Sequence, residues 1–226
     1  MANVVTWSII TTCTAILVSP AVVIAYKMHL LKSEQNISST DIQEKIAREG
    51  HRFQVPFQRN TIASKRNIDE GRWWCLITST FAHGSALHLG CNMYTLWALG
   101  RPLLMMYGFK PFASLWLLSG IGSNLAGIYW PDIVAAAKKN NLISSSRTLG
   151  GEHKGGSLGA SGALCGMAGF LSFLVPSTAV QTALFAGFSV YCIAENAVPE
   201  LGHVEHLFGL ASGAAYWFLR LRTGRF

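Results

Sequence analysis

Apolar residues run nearly unbroken over 4–26, 75–99, 110–130, 158–175, 179–198 and 201–221, and polar residues gather between these stretches. At 1.5 Å of rise per residue, about 20 apolar residues in a helix cross the roughly 30 Å of a bilayer's hydrocarbon core. The pattern therefore predicts six membrane-spanning helices. Arg101-Pro102, the stretch 131–157, Pro176 and Pro199-Glu200 are expected to divide the later spans, and Pro20 to kink the first. Residues 27–73 mix charges with amides and read as a long extramembrane loop, with one helix over 40–49 that Gly50 should end. The segment 138–157, rich in Lys, Asn, Ser and Gly, reads as a mobile connection. No basic region precedes the first stretch and no Arg- and Ser-rich leader is visible, so that stretch is expected to be an uncleaved span. The expected organisation is a first transmembrane helix (1–26), a loop (27–73), a core of five transmembrane helices (74–221) and a basic tail (222–226).

Composition fits lipid as the solvent. Of 226 residues 50% are hydrophobic and 13% charged, against about 25% charged in an average soluble domain. Mean hydropathy is +0.33. A disordered chain, a collagen and a small disulfide scaffold are excluded. The net charge of +7 does not mark a nucleic-acid binder, because the basic residues fall between apolar stretches rather than along one stripe. Nine Lys and Arg lie in 27–73 and four in 131–157, against two between spans two and three and three at the C-terminal end. The positive-inside rule then puts the first loop on the cytosolic or matrix side. Cys13, Cys75, Cys91, Cys165 and Cys192 sit in or beside apolar segments without CxxC spacing and read as buried thiols.

A polar side chain inside a hydrocarbon-spanning helix is costly, which makes each one a functional candidate. His83, His88 and Asn92 fall early in span two, Ser161 early in span four, and His203, Glu205 and His206 early in span six. Even-numbered spans start on the same face of the membrane, so these residues are expected at similar depth beneath one surface. His88 and Asn92, four apart, share a helix face. Ser161 sits in Gly159-Ala160-Ser161-Gly162, with Gly166 completing a GxxxG step, and His206 is followed by a second step at Gly209 and Gly213. Missing Cβ atoms let helix backbones approach closely, as a short serine side chain requires if it is to reach an imidazole on another helix. Histidine, with an ordinary pKa near 6.5, suits the role of base to that hydroxyl. No carboxylate is obviously placed as a third member, so the expectation is a Ser161–His206 dyad. The Ser161 backbone N–H, His88 and Asn92 are candidate donors to an oxyanion.

These motifs resemble those of the rhomboid intramembrane serine proteases. The resemblance covers about 70–217 and rests on His83-Gly84-Ser85-Ala86-Leu87-His88-Leu89-Gly90-Cys91-Asn92-Met93, on Gly159-Ala160-Ser161-Gly162, and on His206-Leu207-Phe208-Gly209 with Gly213. It implies an all-α, six-transmembrane-helix bundle with a long first loop, Ser161 as nucleophile, His206 as base, and His88 and Asn92 as oxyanion-stabilising residues. His83, Gly159, Gly162, Gly209 and Gly213 take supporting roles. It implies an endopeptidase that needs no cofactor or metal and acts on transmembrane segments of other proteins in the bilayer, with span five and the loop after it as a lateral gate. Asn92-Met93-Tyr94-Thr95-Leu96-Trp97, Ser119-Gly120-Ile121-Gly122-Ser123-Asn124 and Ser157-Leu158 before the serine motif look most like the mitochondrial branch. Relatives in bacteria and the secretory pathway are expected to open to the opposite side from the one the positive charges indicate. A multi-pass protein of the mitochondrial inner membrane is therefore favoured over one of a secretory membrane.

Three positions depart from the family pattern. Trp74-Cys75 stands where a Trp-Arg pair is usual, with Arg72 displaced, so the first loop lacks the family's anchoring pair at that place. Leu104 lies near a position where a glutamate is common, and Cys165 where some members carry a ring that stacks on the catalytic histidine, which predicts a less firmly held His206. Two other classes of function remain beside the protease: a catalytically silent relative that binds transmembrane clients, and a small channel or transporter, whose broken inverted repeats are not visible. A metal or haem on His203, Glu205 and His206, with His83 and His88, is disfavoured by the absence of HExxH spacing. The sequence leaves substrate identity and oligomeric state open.

Overall fold

The computed structural model describes residues 2–16, 39–144, 156–195, 197 and 202–223. Over these residues the chain is helical, and its only sheet-like pairing is a single antiparallel bridge between Ala63 and Ser157. Each of the six apolar stretches contains helix where described. The first is α1 (Ala2–Ile16); the rest of that expected span, Pro20 included, lies outside the described residues, as does most of 138–157. α2 (Ser39–Thr61) and α3 (Lys65–Asp69) belong to the first loop. Then come α4 (Cys75–Thr78), a 3-10 turn (Ser79–Phe81), α5 (Ala86–Thr95), a π-helical turn (Leu96–Gly100) and α6 (Arg101–Tyr107). α7 (Phe109–Lys139), α8 (Ser161–Leu171), α9 (Pro176–Glu195) and α10 (His203–Thr223) complete the bundle.

Four boundaries differ from the sequence expectation. The first-loop helix does not stop at Gly50 but continues to Thr61. An interior glycine costs only about 1 kcal/mol of helix propensity, and the far end of α2 is held by tertiary bonds, since its Gln58 and Asn60 carbonyls accept from Asn67 and Thr78. The expected second span is several pieces rather than one helix. Ser85 has extended backbone and its hydroxyl accepts from the His88 N–H at 3.1 Å, which starts α5 afresh. Arg101-Pro102 does not divide spans two and three, because proline is tolerated in a first turn. Gly108 divides them, at φ 77° and ψ −174°, a conformation open to glycine alone. Finally, α7 runs through Pro131. A helix-interior proline crowds the carbonyl four residues back, and the residue there is Gly127, whose backbone has the freedom to adjust.

Leu96, Leu103, Leu115, Met167 and Phe170 form the fully buried centre, and Cys13 brings α1 onto it. Large apolar side chains also cover the outside: Tyr94, Trp97, Met105, Leu117, Leu184 and Phe218 are all exposed. Such a surface suits lipid, where helices are held by close packing rather than by expulsion of apolar groups from water. Among the described residues α9 is the one helix long and apolar enough to cross a membrane by itself, while α1 and α8 are apolar but shorter. With 11 residues α8 is wholly internal in character; Gly162, Ala163, Leu164, Gly166, Met167, Gly169, Phe170 and Leu171 are all buried.

Candidate active site

The site begins with contacts between backbones. A Cβ at Gly209 would collide with the Gly162 carbonyl oxygen, one at Gly213 with that of Gly166, and one at Gly169 with the Leu210 carbonyl. α8 and α10 thus meet along both GxxxG steps. On its other side α8 meets α7, where Cβ atoms on Gly162 and Gly166 would run into Ser123 and Ser119. Ser161 is the first residue of α8, and His206 lies in the first turn of α10. Ser161 precedes Gly162, and His206 precedes Gly209, by one turn or less, and both are half-buried.

The first motif reaches the same place through Gly159. This residue has φ +116°, and an added Cβ would stand 2.6 Å from His88 Cε1 and 2.7 Å from His88 Nε2. The His88 ring therefore rests on the turn that leads into Ser161. Asn92, one turn further along α5, is buried; its Nδ2 donates to the His88 carbonyl at 3.0 Å and would lie 3.7 Å from the same added Cβ. The Gly159 N–H donates to the Ser79 carbonyl at 2.9 Å, fixing the turn. His83 precedes α5 rather than lying on it, and its buried ring meets His88 edge-on with centroids 5.1 Å apart. That contact suits a residue that holds His88.

Around His206 the structure supplies what the sequence left open. Phe185 of α9 brings its ring centroid to 5.4 Å from that of His206, at an interplanar angle of 49°. Cys165, where an aromatic ring was the alternative, lies instead against Gly209. His203 is buried, with Nδ1 3.4 Å from Ser189 Oγ and its ring 5.6 Å from that of Phe188. Glu205 turns to α7, its carboxyl pressed on the backbone of Gly127, and forms part of the wall of a cavity of about 690 Å³ between the first loop and α7. Among the described residues no three His, Cys, Asp or Glu side chains come together as a metal site.

The first loop has an anchor that the sequence pattern did not reveal. Arg72 is buried, and its Nε and Nη2 donate to Asn67 Oδ1 at 3.1 and 2.8 Å. Asn67 in turn donates from Nδ2 to the carbonyls of Gln58 and Ile62. Glu70 accepts from Arg66 and Arg72, which hold its carboxyl at about 2, well below the ordinary carboxylate range. Asn124 of α7 donates to the Leu76 carbonyl and to Ser79 Oγ, both at 2.8 Å, tying the 3-10 turn that receives Gly159. Leu104 is buried in the apolar core. Phe185, Asn67 and Asn124 are the supporting residues that motif reading missed. Only Ser189 and Cys192, two small residues four and seven positions after Phe185, hinted at which face of α9 turns inward.

An all-α bundle whose polar side chains gather at the N-terminal ends of closely packed helices defines a class: a membrane-embedded helical protein with an internal polar site. Residues 70–223 match the family model described as the rhomboid domain. Rhomboid protein 1, mitochondrial, of Saccharomyces cerevisiae is 31% identical over 72% of this chain and 44% of its own length. RHOMBOID-like protein 12, mitochondrial, of Arabidopsis thaliana is 28% identical over 74% of this chain and 52% of its own. Rhomboid protease GluP of Bacillus subtilis is 25% identical over 63% of this chain and 25% of its own. This chain thus spans about half or less of the length of these relatives. It belongs to the rhomboid family and is an integral membrane protein. That membership supports a function of the intramembrane protease type.

Proposed function

We propose that this protein is an intramembrane serine endopeptidase that cleaves transmembrane segments of other membrane proteins with a Ser161–His206 dyad, carried by the core 74–221. Ser161 Oγ attacks the scissile carbonyl carbon while His206 takes its proton. His206 then delivers that proton to the departing amine; a water, deprotonated by His206, attacks the acyl-enzyme, and the proton taken from that water passes to Ser161 Oγ as the Oγ–acyl bond breaks. The Ser161 N–H, His88 and Asn92 stabilise the oxyanion, a role in which each donor is worth about 3–4 kcal/mol. The observation that supports this reading most is the seat of the His88 ring on Gly159, two residues before Ser161, beside the glycine contacts that bring α10 against α8.

A peptide bond in an intact helix is shielded by its own hydrogen bonds, so the substrate must unwind locally. The test is cleavage of reporter peptides in liposomes that contain the full chain. A segment with glycine or another helix breaker near the first-loop face of the bilayer is cleaved, and a uniformly Leu-rich segment, or one with the breaker at the opposite face, is not. Equal cleavage of all three would contradict the proposal. The mitochondrial names of two relatives and the basic first loop favour the mitochondrial inner membrane with that loop facing the matrix; fractionation with another membrane would overturn the location.

A further inference from the structure

Few inward contacts hold α9. Its only buried residues are Ser189 and Cys192, while Val180, Leu184, Val190 and Tyr191 face outward. Phe185, Phe188, Ser189 and Cys192 recur at helical spacing; Ser189 and Cys192 are buried, and the two phenylalanines stay partly exposed at the edge of that stripe. Three of these four meet a histidine of α10: Phe185 meets His206, and Phe188 and Ser189 both meet His203. At this level, then, α9 is held to α10 through two imidazoles. α8 offers no ring to His206, since Cys165 occupies the facing turn and packs on Gly209.

We infer that Phe185 is a positioning residue for His206, so that the alignment of the general base depends on how α9 is seated. This rests on the dyad reading above. An imidazole at the start of a helix rotates about two side-chain torsions, and a ring in contact with one side removes part of that freedom. The base then points at Ser161 for a larger fraction of the time. A helix held by so few contacts shifts more readily than α8 or α10, and any shift moves Phe185 away from His206. Displacing α9, as a transmembrane segment docking beside it would, therefore alters the base as well as access to it.

The test uses the full chain in detergent and follows its inactivation by a fluorophosphonate, which separates chemistry (kinact) from binding (KI). Phe185→Ala and Phe185→Leu are expected to lower kinact about tenfold, within the up to 10²-fold cost of a misplacement of about 1 Å, and to leave KI unchanged. Phe185→Tyr, which keeps an aromatic face, restores kinact, and Leu184→Ala, one residue away on the exposed face, matches the parent. If Phe185→Ala does not fold, the contrast between Leu and Tyr decides alone. A leucine variant as fast as the parent would reduce Phe185 to a space-filler and overturn the inference. A parent that labels, with Ser161→Ala silent and Phe185→Ala unchanged, overturns the positioning role and leaves the dyad. A folded parent that does not label removes the dyad and the positioning role together.

Discussion

Gly159 is constrained twice over, by its backbone conformation and by its neighbour. Its φ of +116° suits glycine alone, and its bare Cα is what lets the His88 ring lie against the turn before Ser161. Gly159→Ala therefore strains the backbone and pushes His88 aside at once. The prediction is a folded protein whose cleavage of a reporter segment falls about 10²-fold or more, the usual loss when one oxyanion donor is misplaced; kcat of the purified variant measures it. Residues of this kind were legible beforehand. Ser161, His206, His88 and Asn92 stand out because polar groups in apolar stretches are costly, and Gly209 and Gly213 because their spacing is that of a close helix contact. Phe185 was not legible, since a phenylalanine in an apolar helix is unremarkable until its neighbour across the helix contact is known. Its contact with His206 also changes the expectation drawn from Cys165: the support missing on α8 comes from α9.

Helices and turns show where local chemistry overrides hydropathy. The apolar run 75–99 has the same average character whether it forms one helix or several, so its break at 82–85 could not be read from periodicity; the Ser85 cap and Gly84 decide it. The anchor of the first loop likewise depends on residues brought together by folding. Arg72, displaced from the family position, reaches Asn67 and Glu70 instead, and Asn67 ties the end of α2 to α3. Glu70 has its pKa lowered to about 2 by Arg66 and Arg72. The unfolded carboxyl titrates near 4.5, so the contribution is complete above that pH and is lost as pH falls from there toward 2. Glu70→Gln should therefore melt below the parent at pH 7 by no more than a few degrees, because the Glu70 carboxyl is exposed to solvent. The difference should close as the pH approaches 2. Melting curves of both proteins between pH 7 and 2.5 check this; a constant gap would remove Glu70 from the anchor.

The whole molecule combines an outer surface made for lipid with an interior made for polar chemistry. Exposed Tyr94, Trp97, Met105, Leu184 and Phe218 cover the bundle, while Ser161, His206 and His88 are half-buried near the starts of three helices and Asn92 is buried one turn after His88. The all-α architecture was legible because hydropathy is a property of the whole chain. Spans were less so. α8 is held within the bundle by neighbours on both sides and has no need of the length of a lipid-facing helix, and among the described residues α9 alone is both long and apolar enough to cross a membrane. The central claim is that this interior activates a serine. Fluorophosphonate labelling of the detergent-purified parent, Ser161→Ala and His206→Ala, each shown folded by its melting curve, tests it most directly. The account predicts labelling of the parent and at least a hundredfold less of either variant, the order of loss when a nucleophile or its base is removed. A folded parent that does not label, or a Ser161→Ala variant that labels as the parent does, would contradict it.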